Sequence, residues 1–215
     1  MVVMPAFGQQ TAAEWLEKGN ALAMQSKYDE AIKAYDQAIS INPQYVDAWN
    51  NKSSALDKLG RYDEALMAHD QAISINPKLA EAWYNKGAAL YDLGKYDEAI
   101  QAHDRAISIN PQYTKAWLNK GAALGGLGKY DEEIRAYDQA ISINPQYAEA
   151  WNNKGAALGS LGKYDEAIKA CDQAISINPQ YANAWYNKGL ALRALGRTSE
   201  ADAAFAKADE LKNAA

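Results

Sequence analysis

The chain has 215 residues, 48% of them hydrophobic and 23% charged, with a formal net charge of −5 and one cysteine, Cys171. That acidic balance argues against nucleic acid as a partner, because a sequence-tolerant grip needs a basic face that releases counterions. One cysteine excludes an intramolecular disulfide framework and a Cys-rich zinc site, and no apolar run reaches the length of a bilayer-spanning helix, so no membrane partner is expected.

Residues 1–11, MVVMPAFGQQT, differ in composition from everything after them. They read either as a loosely packed or disordered leader or as the remnant of an export signal, with Ala6 and Gly8 as small residues near a cleavage point. No basic n-region precedes the short apolar run. Compartment therefore stays open between cytoplasmic and extracytoplasmic.

The six tryptophans, Trp15, Trp49, Trp83, Trp117, Trp151 and Trp185, follow one another every 34 residues. A fixed period of this kind means one supersecondary unit copied in tandem. The units are 12–45, 46–79, 80–113, 114–147, 148–181 and 182–215. Ahead of the first, TAAE (11–14) has the pattern of a capping box, in which Thr11 and Glu14 satisfy free backbone donors.

Each unit predicts two helices. In 80–94, AEAWYNKGAALYDLG, the residues Trp83, Gly87, Leu90 and Leu93 form a stripe of helical period, and Gly94 ends it. In 95–109, KYDEAIQAHDRAISI, a second face carries Tyr96, Ala99, Ile100, His103, Ala106 and Ile107. Asp97 and Glu98 lie in the first turn, at the positive end of the helix dipole. Asn110-Pro111 stops it, since the residue before proline is pushed out of the helical region. The recurring ISINPQY (39–45, 107–113, 141–147, 175–181) is thus the end of a second helix plus the hinge into the next unit. Strand signals are absent, and two short helices cannot hide their apolar faces alone, so successive pairs must stack into a solenoid.

The spacing Trp83, Gly87, Leu90, Ala99, Ala106 and Pro111, recurring in nearly every unit over 12–215, resembles the tetratricopeptide repeat. The resemblance implies an all-α fold, a right-handed superhelical solenoid of antiparallel helix pairs forming a single domain. It also implies a concave groove lined by the first helices that binds a partner protein or peptide, with no chemistry, cofactor or metal.

Departures from the pattern are informative. Thr198, Asp202 and Asp209 replace a tyrosine and two aliphatic columns in the last unit, which reads as a polar terminal cap. Lysines at 18, 52, 86, 120, 154 and 188 and aspartates at 36, 70, 104, 138 and 172 form two columns. The aspartate gives way to Ala206 only in the last unit, which predicts pairs across unit boundaries: Asp36–Lys52, Asp70–Lys86, Asp104–Lys120, Asp138–Lys154 and Asp172–Lys188. His69, His103 and Cys171 share a column with Tyr35, Tyr137 and Phe205 and read as core, a whole repeat apart and too distant to share a metal. Glu133 stands where other units have Ala31, Ala65, Ala99, Ala167 and Ala201, in a unit whose first helix carries Gly125 and Gly126. Either the glycines open space for a side chain that turns toward water, or a loosened fourth unit serves a ligand.

By the same resemblance the groove is lined by Asn20, Asp47, Asn50, Asp57, Glu81, Tyr84, Tyr91, Asp92, Lys115, Leu118, Glu149, Asn152, Tyr186 and Arg193. Some relatives clamp a ligand's carboxylates with lysines, but Leu16, Asn50, Tyr84, Leu118, Asn152 and Tyr186 occupy the first clamp column. Asn20 and Asn51 match two clamp positions, while Glu81 and Asn85 stand where cations are needed. The expected ligand is a helix or extended peptide, neutral to basic. The rival expectation is a self-assembling module that forms homo-oligomers through array ends or groove.

Overall fold

A computed structural model describes residues 10–214. These form twelve α-helices and no strand: α1 (Ala12–Met24), α2 (Tyr28–Ile41), α3 (Val46–Lys58), α4 (Tyr62–Ile75), α5 (Ala80–Asp92), α6 (Tyr96–Ile109), α7 (Thr114–Gly126), α8 (Tyr130–Ile143), α9 (Ala148–Ser160), α10 (Tyr164–Ile177), α11 (Ala182–Ala194) and α12 (Thr198–Asn213). The chain divides after Pro111 into two compact units, α1–α6 and α7–α12. Within each, a helix packs on its successor, and first helices of neighbouring repeats also touch, as α1 does α3 and α9 does α11.

Local chemistry sets the ends. Thr11 and Glu14 form the capping box, with the Thr11 amide 2.6 Å from Glu14 Oε2 and the Glu14 amide 3.2 Å from Thr11 Oγ1. Five turns between paired helices use Gly60, Gly94, Gly128, Gly162 and Gly196 at φ 71–76°, while the first repeat places Ser26 there at φ 60°. That left-handed conformation is open to glycine and strained for serine. At the hinge, Asn42 Oδ1 accepts from the Gln44 amide at 3.1 Å, and the same turn recurs at Asn76, Asn144 and Asn178. The proline carbonyl then receives the next indole: Trp49 Nε1 donates to Pro43 O, Trp83 to Pro77, Trp151 to Pro145 and Trp185 to Pro179, each at 3.0 Å. ISINPQY is therefore a helix stop that also seats the following tryptophan.

The core is made of alanine contacts and a close glycine approach that recurs at Gly19, Gly87, Gly121, Gly155 and Gly189. Ala31, Ala65, Ala99, Ala38, Ala72, Ala106 and Ala140 are fully buried. Gly121 lies so near the second helix that a Cβ on it would come within 2.5 Å of the Tyr137 ring. Glycine is required there, because a rigid buried ring cannot retreat. His69, His103 and Cys171 are fully buried in the tyrosine column. Burial pushes the Cys171 thiol up to about 12, which leaves it unreactive as a nucleophile.

The charged columns meet as expected wherever both partners lie in one unit: Lys52–Asp36, Lys86–Asp70 and Lys154–Asp138 at 2.6 Å and Lys188–Asp172 at 2.7 Å. Asp104 and Lys120 belong to different units. Each lysine also sits over its own repeat's indole, from 4.4 Å for Lys18 on Trp15 to 5.7 Å for Lys86 on Trp83. An ammonium between a carboxylate and an aromatic face explains a lysine beside the apolar stripe. On α12, Thr198, Asp202 and Asp209 are exposed, whereas Ile32, Ile73 and Ile168, in the columns of equivalent second helices, are at most 9% exposed. No helix among the described residues is long and apolar enough to cross a membrane.

Candidate functional site

Successive first helices lie side by side, and between them the same repeat positions open a pocket in each unit. In the first unit the pocket, about 310 Å³, is lined by Asn20, Met24, Tyr28, Tyr35, Asn51, Ser54 and Lys58. Asn20 organises it: its Oδ1 accepts from the Tyr35 hydroxyl at 3.0 Å and from Asn51 Nδ2 at 2.8 Å. In the second unit a pocket of about 320 Å³ is lined by Gly155, Ala156, Gly159, Ser160, Tyr164, Asn187, Leu190 and Ala191. A Cβ on Gly159 would meet nothing within 4 Å, so this glycine leaves room rather than permitting contact.

The expected groove residues divide by burial. Asp47, Glu81, Tyr91, Asp92, Lys115, Glu149, Tyr186 and Arg193 are exposed, and Asn20, Asp57 and Tyr84 half-buried. Asn50, Leu118 and Asn152 are buried, at 6, 5 and 4% exposure. Asn152 is engaged within the protein, accepting from Asn187 Nδ2 at 2.9 Å and donating to Asn153 Oδ1 at 3.0 Å. The second repeat has a polar floor, with Asp57 Oδ2 3.0 Å from Nε2 of the buried His69. There Asn50 Oδ1, Asp57 Oδ1 and His69 Nδ1 are buried without a hydrogen-bond partner.

One column decides what covers that floor: Ala23, Asp57, Tyr91, Gly125, Gly159 and Arg193. Asp57 reaches His69, Tyr91 packs on Tyr96 with ring centroids 5.3 Å apart, and Arg193 lies 5.0 Å from the Phe205 ring. Tyr186 completes the last arrangement, 5.5 Å from Phe205 and beneath the Lys212 ammonium at 4.9 Å. Tyr84 stands 5.8 Å from His103. Next to Tyr91, the charge of Asp92, with burial, holds the Tyr62 hydroxyl above its usual range.

Glu133 departs from the expectation that it turns toward water. It is 8% exposed, and a Cβ on Gly125 would sit 2.7 Å from its Cδ. The side chain folds into the helix interface because Gly125 leaves a gap at its own column, and the Tyr137 hydroxyl donates to Oε1 at 3.1 Å. Burial lifts its pKa from 4.5 to about 7, partly countered by the Tyr137 bond. The sequence signal was the pairing of Glu133 with Gly125. Among the described residues, no three His, Cys, Asp or Glu side chains group to hold a metal.

Paired helices with a close-approach glycine, a proline hinge and stacked first helices define a helical-repeat protein of the interaction type. Family profiles described as tetratricopeptide repeat match residues 16–79, 80–113, 148–181 and 170–203, and a TPR repeat profile matches 126–162. The chain belongs to the tetratricopeptide repeat family, a protein-interaction repeat fold. No curated protein matches it by sequence. Among solved structures, MamA is similar at 26% identity and TM-score 0.72, over 80% of this chain and 93% of that one. YrrB, described as a TPR protein with an unusual peptide-binding site, is similar at 22% identity and TM-score 0.68, over 85% and 94%. PilF of Pseudomonas aeruginosa shares the fold at 16% identity and TM-score 0.78, over 90% and 88%.

Proposed function

We propose that the protein is a non-catalytic scaffold whose first-helix faces bind a segment of a partner polypeptide, neutral to basic in charge, with residues 12–215 acting as one domain of six repeats. The observation that carries this reading is the recurrence of a preformed pocket at the same repeat positions in both units. Concave pockets lined by apolar groups with a few fixed polar ones are the usual form of a binding site. Asn20 and Asn187 supply polar groups, while Leu190, Tyr164 and the bare backbone of Gly159 supply apolar room. Exposed Asp47, Glu81, Asp92 and Glu149 set the charge preference against exposed Lys58, Lys115 and Arg193. YrrB gives a precedent for peptide binding on this fold.

The test is a pull-down from native extract with the wild type, with Gly159→Leu, and with the triple variant Glu81→Lys, Asp92→Lys, Glu149→Lys. Leucine at 159 fills the pocket without a clash at its Cβ, so the variant keeps its stability and loses the partner. Equal recovery of one partner by all three proteins contradicts the groove assignment. Self-assembly is the second reading, favoured by Met24 and Met67, exposed at 89 and 64%. A mass that rises with concentration in light scattering, without added ligand, would select it.

A further inference from the structure

Glu133 is the residue the repeat pattern does not absorb. Its column otherwise holds alanines that are at most 1% exposed, Ala31, Ala65, Ala99, Ala167 and Ala201, and burying a carboxylate without a counter-charge is costly. The Tyr137 hydroxyl occupies Oε1. No hydrogen bond within the described residues holds Oε2. The carboxyl stands against the Gly125 backbone, within 2.8 Å of where a Cβ would begin. In three other repeats this place is covered by Asp57, Tyr91 or Arg193. Gly125 is only half-buried and Gly126 is exposed, so no side chain at these two positions stands between the carboxyl and the groove face.

Among the described residues no ion pair engages Glu133. The charged residues on the surrounding elements are Lys129 at the start of α8, Asp131, Glu132, Arg135 and Asp138 on α8, Lys115 and Lys120 on α7, and Glu149 and Lys154 on α9. Burial raises the proton affinity of Glu133 and the Tyr137 hydrogen bond lowers it. Its position in the first turn of α8, favourable to a carboxylate through the helix dipole, does not outweigh that burial.

We propose, resting on the peptide-binding reading above, that Glu133 is a recessed acceptor on which a Lys or Arg side chain of the partner segment docks over Gly125 and Gly126. The incoming cation provides the counter-charge that the interior lacks, and Oε2 takes its hydrogen bond. A neutral donor gains the hydrogen bond without the charge, and an acidic side chain is repelled. Because the cation favours the ionised carboxyl, docking near neutral pH expels a proton, and affinity rises with pH.

The probe is a display library of random peptides panned against the whole chain at pH 8. Enriched peptides are then measured on wild type, Glu133→Gln and Glu133→Ala. Both variants should fold, since alanine is what the five other repeats carry. The expected result is a Lys or Arg at a fixed place in the enriched sequences and at least a tenfold loss on either variant. Wild-type affinity should also fall about tenfold from pH 8 to pH 6, following the ionised fraction of a group with pKa near 7, and the Gln variant should stay flat. A purely structural Glu133 would not produce that pH profile. Enriched peptides that bind Glu133→Gln within a factor of two, or that share no basic position, overturn the proposal while leaving the groove reading intact. No enrichment at all contradicts both.

Discussion

Replacing Glu133 with glutamine keeps the side chain's shape and removes its titration, which isolates one pH-dependent contribution to stability. The carboxyl titrates near 4.5 when unfolded and at about 7 when folded. Between those values the folded state holds a proton that the unfolded state has released, so wild-type stability falls as pH rises through this window and levels off above it. The slope approaches about 1.4 kcal/mol per pH unit, and the full span corresponds to a penalty of about 3 kcal/mol at pH 8. Exposed carboxyls held low by arginines, Glu64 by Arg61 and Glu200 by Arg197, act in the opposite direction and at lower pH. Urea denaturation followed by tryptophan fluorescence from pH 5 to pH 8 provides the assay. The stability difference, Glu133→Gln minus wild type, should grow steadily from pH 5 to pH 7 and then hold. Parallel curves across the range would mean that the carboxyl is solvated, and the reasoning about its burial would fail.

Gly121→Ala should destabilise the protein by about 2 kcal/mol or more, since a Cβ 2.5 Å from the Tyr137 ring forces the helices apart; an unchanged urea midpoint would contradict this. Ser26→Gly should stabilise by roughly 0.5 kcal/mol, the relief of a left-handed serine less glycine's greater unfolded freedom, read from the same midpoint. If residues 12–215 act as one domain, calorimetry should show one transition shared by both units; two separate transitions would reject that.

The helices, their order and the repeat boundaries were legible because the tryptophan period fixes the register and the Gly and Asn-Pro signals mark the ends. The Asp–Lys contacts were legible for a different reason: the two charged columns recur with the repeat period at a constant offset of 16 residues. Burial along the first helices was harder to read. Leu118, Asn152 and Tyr186 share one column, yet the first two are buried and Tyr186 is 42% exposed. Residue type alone does not settle it, since Tyr84 in the same column is half-buried. Of the two readings of Glu133, the one that turns it toward water fails for a related reason. Its sequence shows a charge at an alanine position, and the rule that charges seek water gives the wrong direction. The gap beside Gly125 belongs to the neighbouring helix and takes shape only when α7 and α8 pack. The pocket at Gly159 likewise depends on what the opposing side chains leave unfilled, which spacing does not encode.

The central claim, that the first-helix faces hold a partner polypeptide, is tested most directly by backbone amide chemical-shift mapping of the whole chain with an enriched peptide. Shifts should concentrate on α9 and α11 around Ala156, Gly159 and Leu190, and be lost in Gly159→Leu. Shifts confined to the outer faces of second helices such as α10, and retained in that variant, would contradict it.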